Sequence, residues 1–306
     1  MPIATTILMI RPAAFGFNKE TAVNNFFQND MQDSEGQLQQ KALAEFDNMV
    51  RILRQNDINL VVIDDTTMPA KPDAIFPNNW ISTSPDGIVS VFPMYAPSRR
   101  AEKRADILED LGRQFVVKDV QDWSEYEVEG RFLEGTGSMV MDHDNKLIYA
   151  AVSERTNLSV LEKFASTNNY QAIVFIATDK EGRPVYHTNV IMSLGDEFAI
   201  LCEEAIEEEW ELIAVRQLLE STGHTVIPIT RDQMKAFAGN MLQVRNTHGD
   251  KFLVLSQTAF DSLSKEQHRM LEAYARLLPV PIPTIEEVEG GSVRCMMAEV
   301  FLERKN

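Results

Sequence analysis

Residues 189–202 read NVIMSLGDEFAILC: a short polar residue, an apolar run, a Gly-Asp turn signal and a second apolar run. Apolar runs of this length, bounded by turn formers, read as strands. A helical stretch, Glu207–Thr222, and another short strand follow. The same order recurs along the chain. Openers stand at Asn79-Trp-Ile, Ser138-Met-Val, Asn189-Val-Ile, Asn240-Met-Leu and Ser292-Val, at spacings of 59, 51, 51 and 52 residues. Turn signals PDG (85–87), HDN (143–145), GDE (195–197) and THGD (247–250) lead into IVSVFP, KLIYAAV, FAILCEE and KFLVLSQ. Helical periodicity then marks Ser98–Arg113, Asn157–Thr167, Glu207–Thr222 and Ser264–Leu278.

The ends of the chain complete this pattern. The last opener strand, SVRCMMAEVFL (292–302), has no helix after it, whereas the N-terminus supplies a strand (TTILMIR), a helix (Gln37–Asn56) and a strand (INLVVID) with no opener. Together they make a fifth unit. The expectation is one catalytic α/β domain over residues 1–306, a five-bladed, pseudo-fivefold propeller whose ring is closed by the N- and C-terminal strands and hides its sheet edges. The competing plan is a doubly wound α/β sheet. A nucleotide site there needs a Gly-rich turn from strand to helix, and EGTGS (134–138) and EGGS (289–292) both read as leading into strands.

With 46 acidic against 29 basic residues in 306, the formal net charge is −17. Such a field repels phosphate backbones and anionic lipid, so neither nucleic acid nor a membrane is an expected partner. No apolar run approaches the roughly eighteen residues of a membrane span, and MPIATTILMIRP lacks the basic segment and length of an export signal. Cys202 and Cys295 are too far apart in sequence for a disulfide framework or a close zinc-binding pair. These features point to a cytoplasmic protein with a small-molecule substrate and neither cofactor nor metal, and they leave room for a homo-oligomer.

In a ring of repeats the openers converge on the axis, which gathers Asn78, Asn79, Glu134, His187, Asn189, Asn240 and Cys295. A cysteine, a histidine and a carboxylate on separate units supply a nucleophile, a proton shuttle and its orienter. Each residue also has a structural explanation: Cys295 as an inert buried thiol in an apolar strand, Glu134 as a turn or ion-pair residue, the asparagines as turn caps. Their shared phase in the repeat favours chemistry. On a strand His187 and Asn189 would share a face, and Arg294 would point away from Cys295. Cys202 has no such phase and reads as core.

These residues resemble the guanidino-group-modifying enzymes, the superfamily of arginine deiminase, dimethylarginine hydrolase and glycine amidinotransferase. The likeness rests on MIRP near the start, DAIFPNN (73–79), APSRR (96–100), LEGTG (133–137), SERTN (153–157), YHTN (186–189) and GGSVRCM (290–296). It implies a five-bladed α/β propeller with Cys295 as nucleophile, His187 as general acid and base, and Glu134 as its partner. Arg99 and Arg155 would hold the substrate carboxylate, while Asp73, Asn78, Asn79 and Asn189 would line the substrate.

The departures select a substrate. Members that act on a guanidinium typically carry Asp at the positions of Asn79 and Asn189, and often a further Asp where this chain has Gly137. A buried guanidinium that loses a carboxylate partner costs on the order of 3–5 kcal/mol, whereas a neutral ureido group suits an amide. The chain thus looks most like the citrulline-hydrolysing branch, with citrulline giving ornithine, ammonia and carbon dioxide through a covalent thiol adduct. The alternatives are a hydrolase of arginine or a substituted arginine, for which Asp73 retains one carboxylate, and a non-catalytic binding protein, since a ribosome anti-association factor shares this propeller. Residues 13–34 read either as a lid over the mouth of the ring or as a loop packed on its own Phe15, Phe17, Phe26 and Phe27.

Overall fold

The computed structural model describes residues 2–31 and 34–305. The chain begins with β1 (Thr6–Arg11), the long helix α1 (Glu35–Gln55) and β2 (Asn59–Asp64). Four units of one plan follow. The first is β3 (Ile81–Thr83), β4 (Ile88–Val91), α2 (Ala105–Gln114) and β5 (Asp119–Asp122). The second is α3 (Gly135–Ser138), β6 (Val140–Asp142), β7 (Leu147–Ala151), α4 (Leu158–Thr167) and β8 (Gln171–Phe175). The third is α5 (Thr188–Ile191), β9 (Met192–Leu194), β10 (Phe198–Leu201), α6 (Glu209–Ser221) and β11 (Thr225–Pro228). The fourth is α7 (Arg231–Lys235), β12 (Leu242–Arg245), β13 (Lys251–Ser256), α8 (Gln257–Ser262), α9 (Lys265–Glu272) and β14 (Arg276–Val280). Helix α10 (Pro283–Glu289) and β15 (Ala298–Val300) end the chain.

Each unit folds into its own three-stranded sheet in which the middle strand pairs antiparallel with the opener strand and parallel with the last one. The terminal strands share a sheet in the order β15-β1-β2, with Thr6 opposite Val300 and also beside Asn59. This is the fifth unit expected from the two ends. Five sheets of one plan fit a pseudo-fivefold arrangement. They are separate sheets rather than one closed sheet, so the edges expected to vanish are retained by each sheet.

Helix packing follows apolar spacing. In α1, Leu38, Ala42, Phe46, Met49 and Leu53 recur every three or four residues and are at most 3% exposed. The helix start is set where the Ser34 N–H donates to Gln37 Oε1 at 3.1 Å. Burying Phe46 alone is worth about 3–5 kcal/mol against an alanine.

Several local expectations change. Asn79, Ser138 and Asn189 lie in one-turn helices, at Pro77–Asn79, α3 and α5, that deliver the chain into the strands. EGTGS therefore enters a helical turn. Ser98–Arg113 divides into a 3-10 turn, Pro97–Glu102, and α2. Ser264–Leu278 ends as helix at Glu272, and Arg276–Val280 is strand β14; its apolar residues mimic helical spacing, but they complete a ladder with β13.

The short polar openers have a local purpose: they tie adjacent units together. Asn78 Nδ2 donates to Thr136 Oγ1 (3.2 Å), Thr188 Oγ1 to Ser138 O (2.5 Å), and Asn240 Nδ2 to Asn189 O (2.9 Å). Arg294 N–H closes the series by donating to Asn240 Oδ1 at 3.1 Å. A small side chain is needed because these helical turns pack directly on one another.

Candidate active site

Glu134 ends in the tight approach of its unit to the preceding one. Gly135 follows it at φ 45°, and a Cβ there would lie 2.4 Å from Asn78 O, so only glycine fits. The carboxylate is fully buried. Its Oε1 accepts the Tyr95 N–H at 2.9 Å, and its Oε2 lies 2.8 Å from His187 Nε2, 3.5 Å from Arg155 Nη1 and 3.9 Å from Arg99 Nη1. Burial would raise the carboxyl's pKa, but Arg155, His187 and Arg99 outweigh it and hold it at about 2. Burial also acts on His187, overcoming the pull of Glu134 and lowering the imidazole to about 4. A neutral imidazole beside an ionised carboxylate is the state that accepts a proton at pH 7.

With Nε2 spent on Glu134, Nδ1 is the nitrogen left for chemistry. It faces Gly137, where an added Cβ would come 2.8 Å from His187 Nδ1 and 2.5 Å from Asn79 Nδ2. Gly137 therefore keeps open the space between His187 and Asn79. His187 immediately precedes α5 rather than sharing a strand face with Asn189.

Cys295 sits in a hydrogen-bonded turn, its N–H donating to Ser292 O at 2.9 Å, and not in the strand expected for it. Its side chain is 3% exposed. Asn240 Nδ2 lies 3.3 Å and Asn189 Nδ2 3.6 Å from Sγ, so two amides face the thiol. Among the described residues no hydrogen bond joins Sγ to His187. Arg294 is turned away by bonds to Met297 O (2.8 Å) and Glu299 Oε2 (2.9 Å). Cys202 is wholly buried in a core cluster, and burial pushes its thiol up to about 12.

The remaining expected residues surround this centre. Arg99 grips Glu102 through Nε and Nη2 (both 2.9 Å) and donates from Nη1 to Asn79 Oδ1 at 2.8 Å. Arg155 donates to Thr21 O (2.9 Å) and Asn24 Oδ1 (2.9 and 2.6 Å). Asp73 accepts from Asn18 Nδ2. Asn78 Oδ1, Asn79 Nδ2 and Asn189 Oδ1 are buried with no partner among the described residues.

Three features escaped the sequence reading. Glu289, 1% exposed, has Asp73 among the charges that act on it. Its Oε2 accepts from Gln28 Nε2 at 2.8 Å, while Oε1 has no partner among the described residues. Glu102 saturates Arg99. Asn18, Thr21, Asn24, Asn25 and Gln28, all from the 13–34 segment, bind Asp73, Arg155 and Glu289. This segment therefore covers expected site residues. Phe15 and Phe17 join one core cluster and Phe27 another, with Phe26 half exposed, so the segment is not packed on its own phenylalanines. Residues 32 and 33 of that segment lie outside the described residues. Glu289 had a signal: like Glu134, it directly precedes a glycine just before an opener.

Fold and sequence together place the chain in the guanidino-group-modifying superfamily. The chain belongs to the family described as N,N dimethylarginine dimethylhydrolase, eukaryotic, whose model matches residues 11–302. Among solved structures, it is similar to the ligand-free arginine dihydrolase ArgZ of cyanobacteria (16% identity, TM-score 0.75), with 97% of this chain matched to 40% of that one. The substrate-bound N-terminal domain of ArgZ is covered at 98% by 97% of this chain (15% identity, TM-score 0.74). A dimethylarginine dimethylaminohydrolase carrying an S-methyl-L-thiocitrulline adduct is matched over its whole length by 97% of this chain (15% identity, TM-score 0.65). The chain thus spans about two fifths of full-length ArgZ. No curated protein matches it by sequence. Among the described residues no helix is long and apolar enough to cross a membrane.

Proposed function

We propose that the protein is a cysteine hydrolase of the guanidino group of an arginine-type amino acid, its five sheets set as a propeller around the site. The observation that carries this reading is that Asn189, whose Nδ2 lies 3.6 Å from the Cys295 thiol, stands two residues from a His187 clamped by Glu134 at 2.8 Å. Asp73, 3% exposed, retains one carboxylate for a cationic substrate. The family and the dihydrolase likeness point the same way, and shift the expectation from citrulline toward arginine.

In this scheme Sγ attacks the guanidino carbon as His187 takes the thiol proton and passes it to the departing nitrogen. Ammonia leaves. His187 then deprotonates water, which attacks the thiouronium carbon and releases citrulline. A second cycle at the ureido carbon expels another ammonia, and the resulting carbamate loses carbon dioxide. Arginine plus two waters thereby gives ornithine, two ammonia and carbon dioxide. Asn78 Oδ1 and Asn189 Oδ1 are free to accept from substrate N–H groups. A substrate carboxylate reaches Arg155 by replacing Asn24 and Thr21, and lies near Arg99 on the same side of Glu134.

A second reading, hydrolysis of citrulline alone, is favoured by the unpartnered Asn79 Nδ2 donor and the unpartnered Asn78 and Asn189 Oδ1 acceptors, a set that complements a ureido carbonyl and its N–H groups. Separate incubation with L-arginine, L-citrulline and N,N-dimethylarginine distinguishes the readings. Ornithine with two ammonia per arginine supports the first; consumption of citrulline but not arginine supports the second. Dimethylamine with citrulline as end product places the chemistry on substituted arginine. No turnover of any of them contradicts the proposal.

A further inference from the structure

The two amides that face the Cys295 sulfur are held differently. Gly239 lets the fourth unit close on the third: a Cβ there would lie 2.1 Å from Val190 O, so the chain passes only with glycine. Asn240 comes next, 1% exposed, and its side chain is fixed from both ends. Oδ1 accepts the Arg294 N–H at 3.1 Å, and one Nδ2 hydrogen goes to Asn189 O at 2.9 Å. These bonds decide which end of the amide is the donor. The second Nδ2 hydrogen is left for Sγ, 3.3 Å away. Asn189 also turns Nδ2 toward Sγ, at 3.6 Å, but its Oδ1 has no partner among the described residues, so no second bond fixes that amide's rotation.

The charged and titratable groups around the sulfur are engaged elsewhere. Arg294 is bound to Met297 O and Glu299, Tyr186 donates its hydroxyl to Gly290 O at 2.7 Å, and Glu134 takes His187 Nε2. A thiolate at a site as buried as Cys295 has lost its water, and an unpaired buried charge is costly. A donor aimed in advance serves such an anion better than one that must be ordered as the charge appears.

We propose that Asn240 is a catalytic residue: its Nδ2 donates to the Cys295 sulfur and holds the thiolate, both as it attacks and as it leaves when the covalent adduct breaks. No bond to Asn240 forms or breaks. The thiol proton goes to His187 in the proposed cycle, and the amide stays a donor throughout. While the sulfur is still a thiol, the same amide can accept from it, since Sγ stands 3.7 Å from Oδ1. The proposal rests on Cys295 being the nucleophile, and it holds for arginine and citrulline alike.

The test is the pH profile of Cys295 alkylation by iodoacetamide, read by peptide mass analysis, in wild type and in Asn240→Ala, Asn240→Ser and Asn189→Ala proteins. No substrate is needed, so the outcome is separate from turnover. Losing a hydrogen bond to a charged acceptor should move the Asn240→Ala profile to higher pH by at least about one unit, which is about tenfold less thiolate at a given pH below the midpoint. Asn240→Ser, which keeps a polar group for the Arg294 N–H, should move it in the same direction, and Asn189→Ala should move it less than Asn240→Ala does. A profile unmoved in both Asn240 variants, or moved further by Asn189→Ala, overturns the proposal and leaves the nucleophile in place. Alkylation of Cys202 but not Cys295 in folded wild type removes the hydrolase reading as well. Thermal melting checks each variant; if neither Asn240 variant folds, the amide is a structural tie and the proposal falls.

Discussion

Glu134 and Glu289 are the same residue in the same setting: buried, each followed by a glycine at positive φ (45° and 62°), each just ahead of an opener. Their pKa values are driven in opposite directions. Glu134 faces two guanidiniums, an imidazole and a backbone N–H and is held at about 2, whereas Glu289 faces another carboxyl and one neutral amide and is pushed well above the carboxylate range. Burial penalises both alike; the neighbours decide. One carboxylate is held charged against a histidine, while burial favours the protonated form of the other.

The largest expected break in this comparison is in the cost of amide replacement. Glu134→Gln should lower kcat by about 10²–10⁴ through loss of an oriented His187, and destabilise the fold by about 3–5 kcal/mol because buried Arg155 loses its anion. Glu289→Gln removes a carboxyl whose protonated form burial favours, rather than an anion that two guanidiniums hold, and stability should change by no more than about 1 kcal/mol. Denaturant titration of the two variants at neutral pH checks this; equal losses would mean that the two carboxyls share a charge state.

A smaller effect is the sign of the pH dependence. Glu134 has a folded value of about 2 against an ordinary 4.5, so its stabilisation is present above 4.5 and is lost as pH falls through 2. It amounts to about 3 kcal/mol. The stability gap between wild type and Glu134→Gln should narrow over that window. Glu289 is raised above 4.5, so its contribution is present below 4.5 and is lost as pH rises through its folded value. Wild type should accordingly lose stability relative to Glu289→Gln on the alkaline side. His187, lowered to about 4 from 6.5, sets the acid limb of kcat/KM near pH 4, since the base is neutral only above that value. A limb near 6.5 would place His187 in a more hydrated setting than this site.

The repeat was legible because the openers recur at nearly constant spacing, with short polar residues at and beside them linking unit to unit. The one-turn helices were not, since four residues are too few to display a helical period. Arg276–Val280 was hidden because its apolar residues continue the spacing of α9, and only the partner strand β13 distinguishes ladder from helix. Cys295, His187 and Glu134 were singled out by their common phase, and the structure brings His187 and Glu134 together. Glu289 was missed although it shares that phase, because a lone carboxyl in a sequence does not show which distant charges will act on it.

The smallest expected difference is between the two thiols, both buried. Alkylation followed by peptide mass analysis should modify Cys295, which two side-chain amides face, ahead of Cys202, whose thiol burial pushes up to about 12. Preferential modification of Cys202 would remove the basis for assigning the nucleophile.

The central claim is that Cys295 forms a covalent adduct at the substrate's guanidino or ureido carbon. Rapid acid quench during turnover of L-arginine, followed by intact-protein and peptide mass measurement, tests it most directly. The account predicts an added thiouronium or carbamoyl mass on the peptide carrying Cys295, absent from Cys295→Ser protein. Turnover at an undiminished rate in Cys295→Ser, or an adduct confined to Cys202, would contradict it.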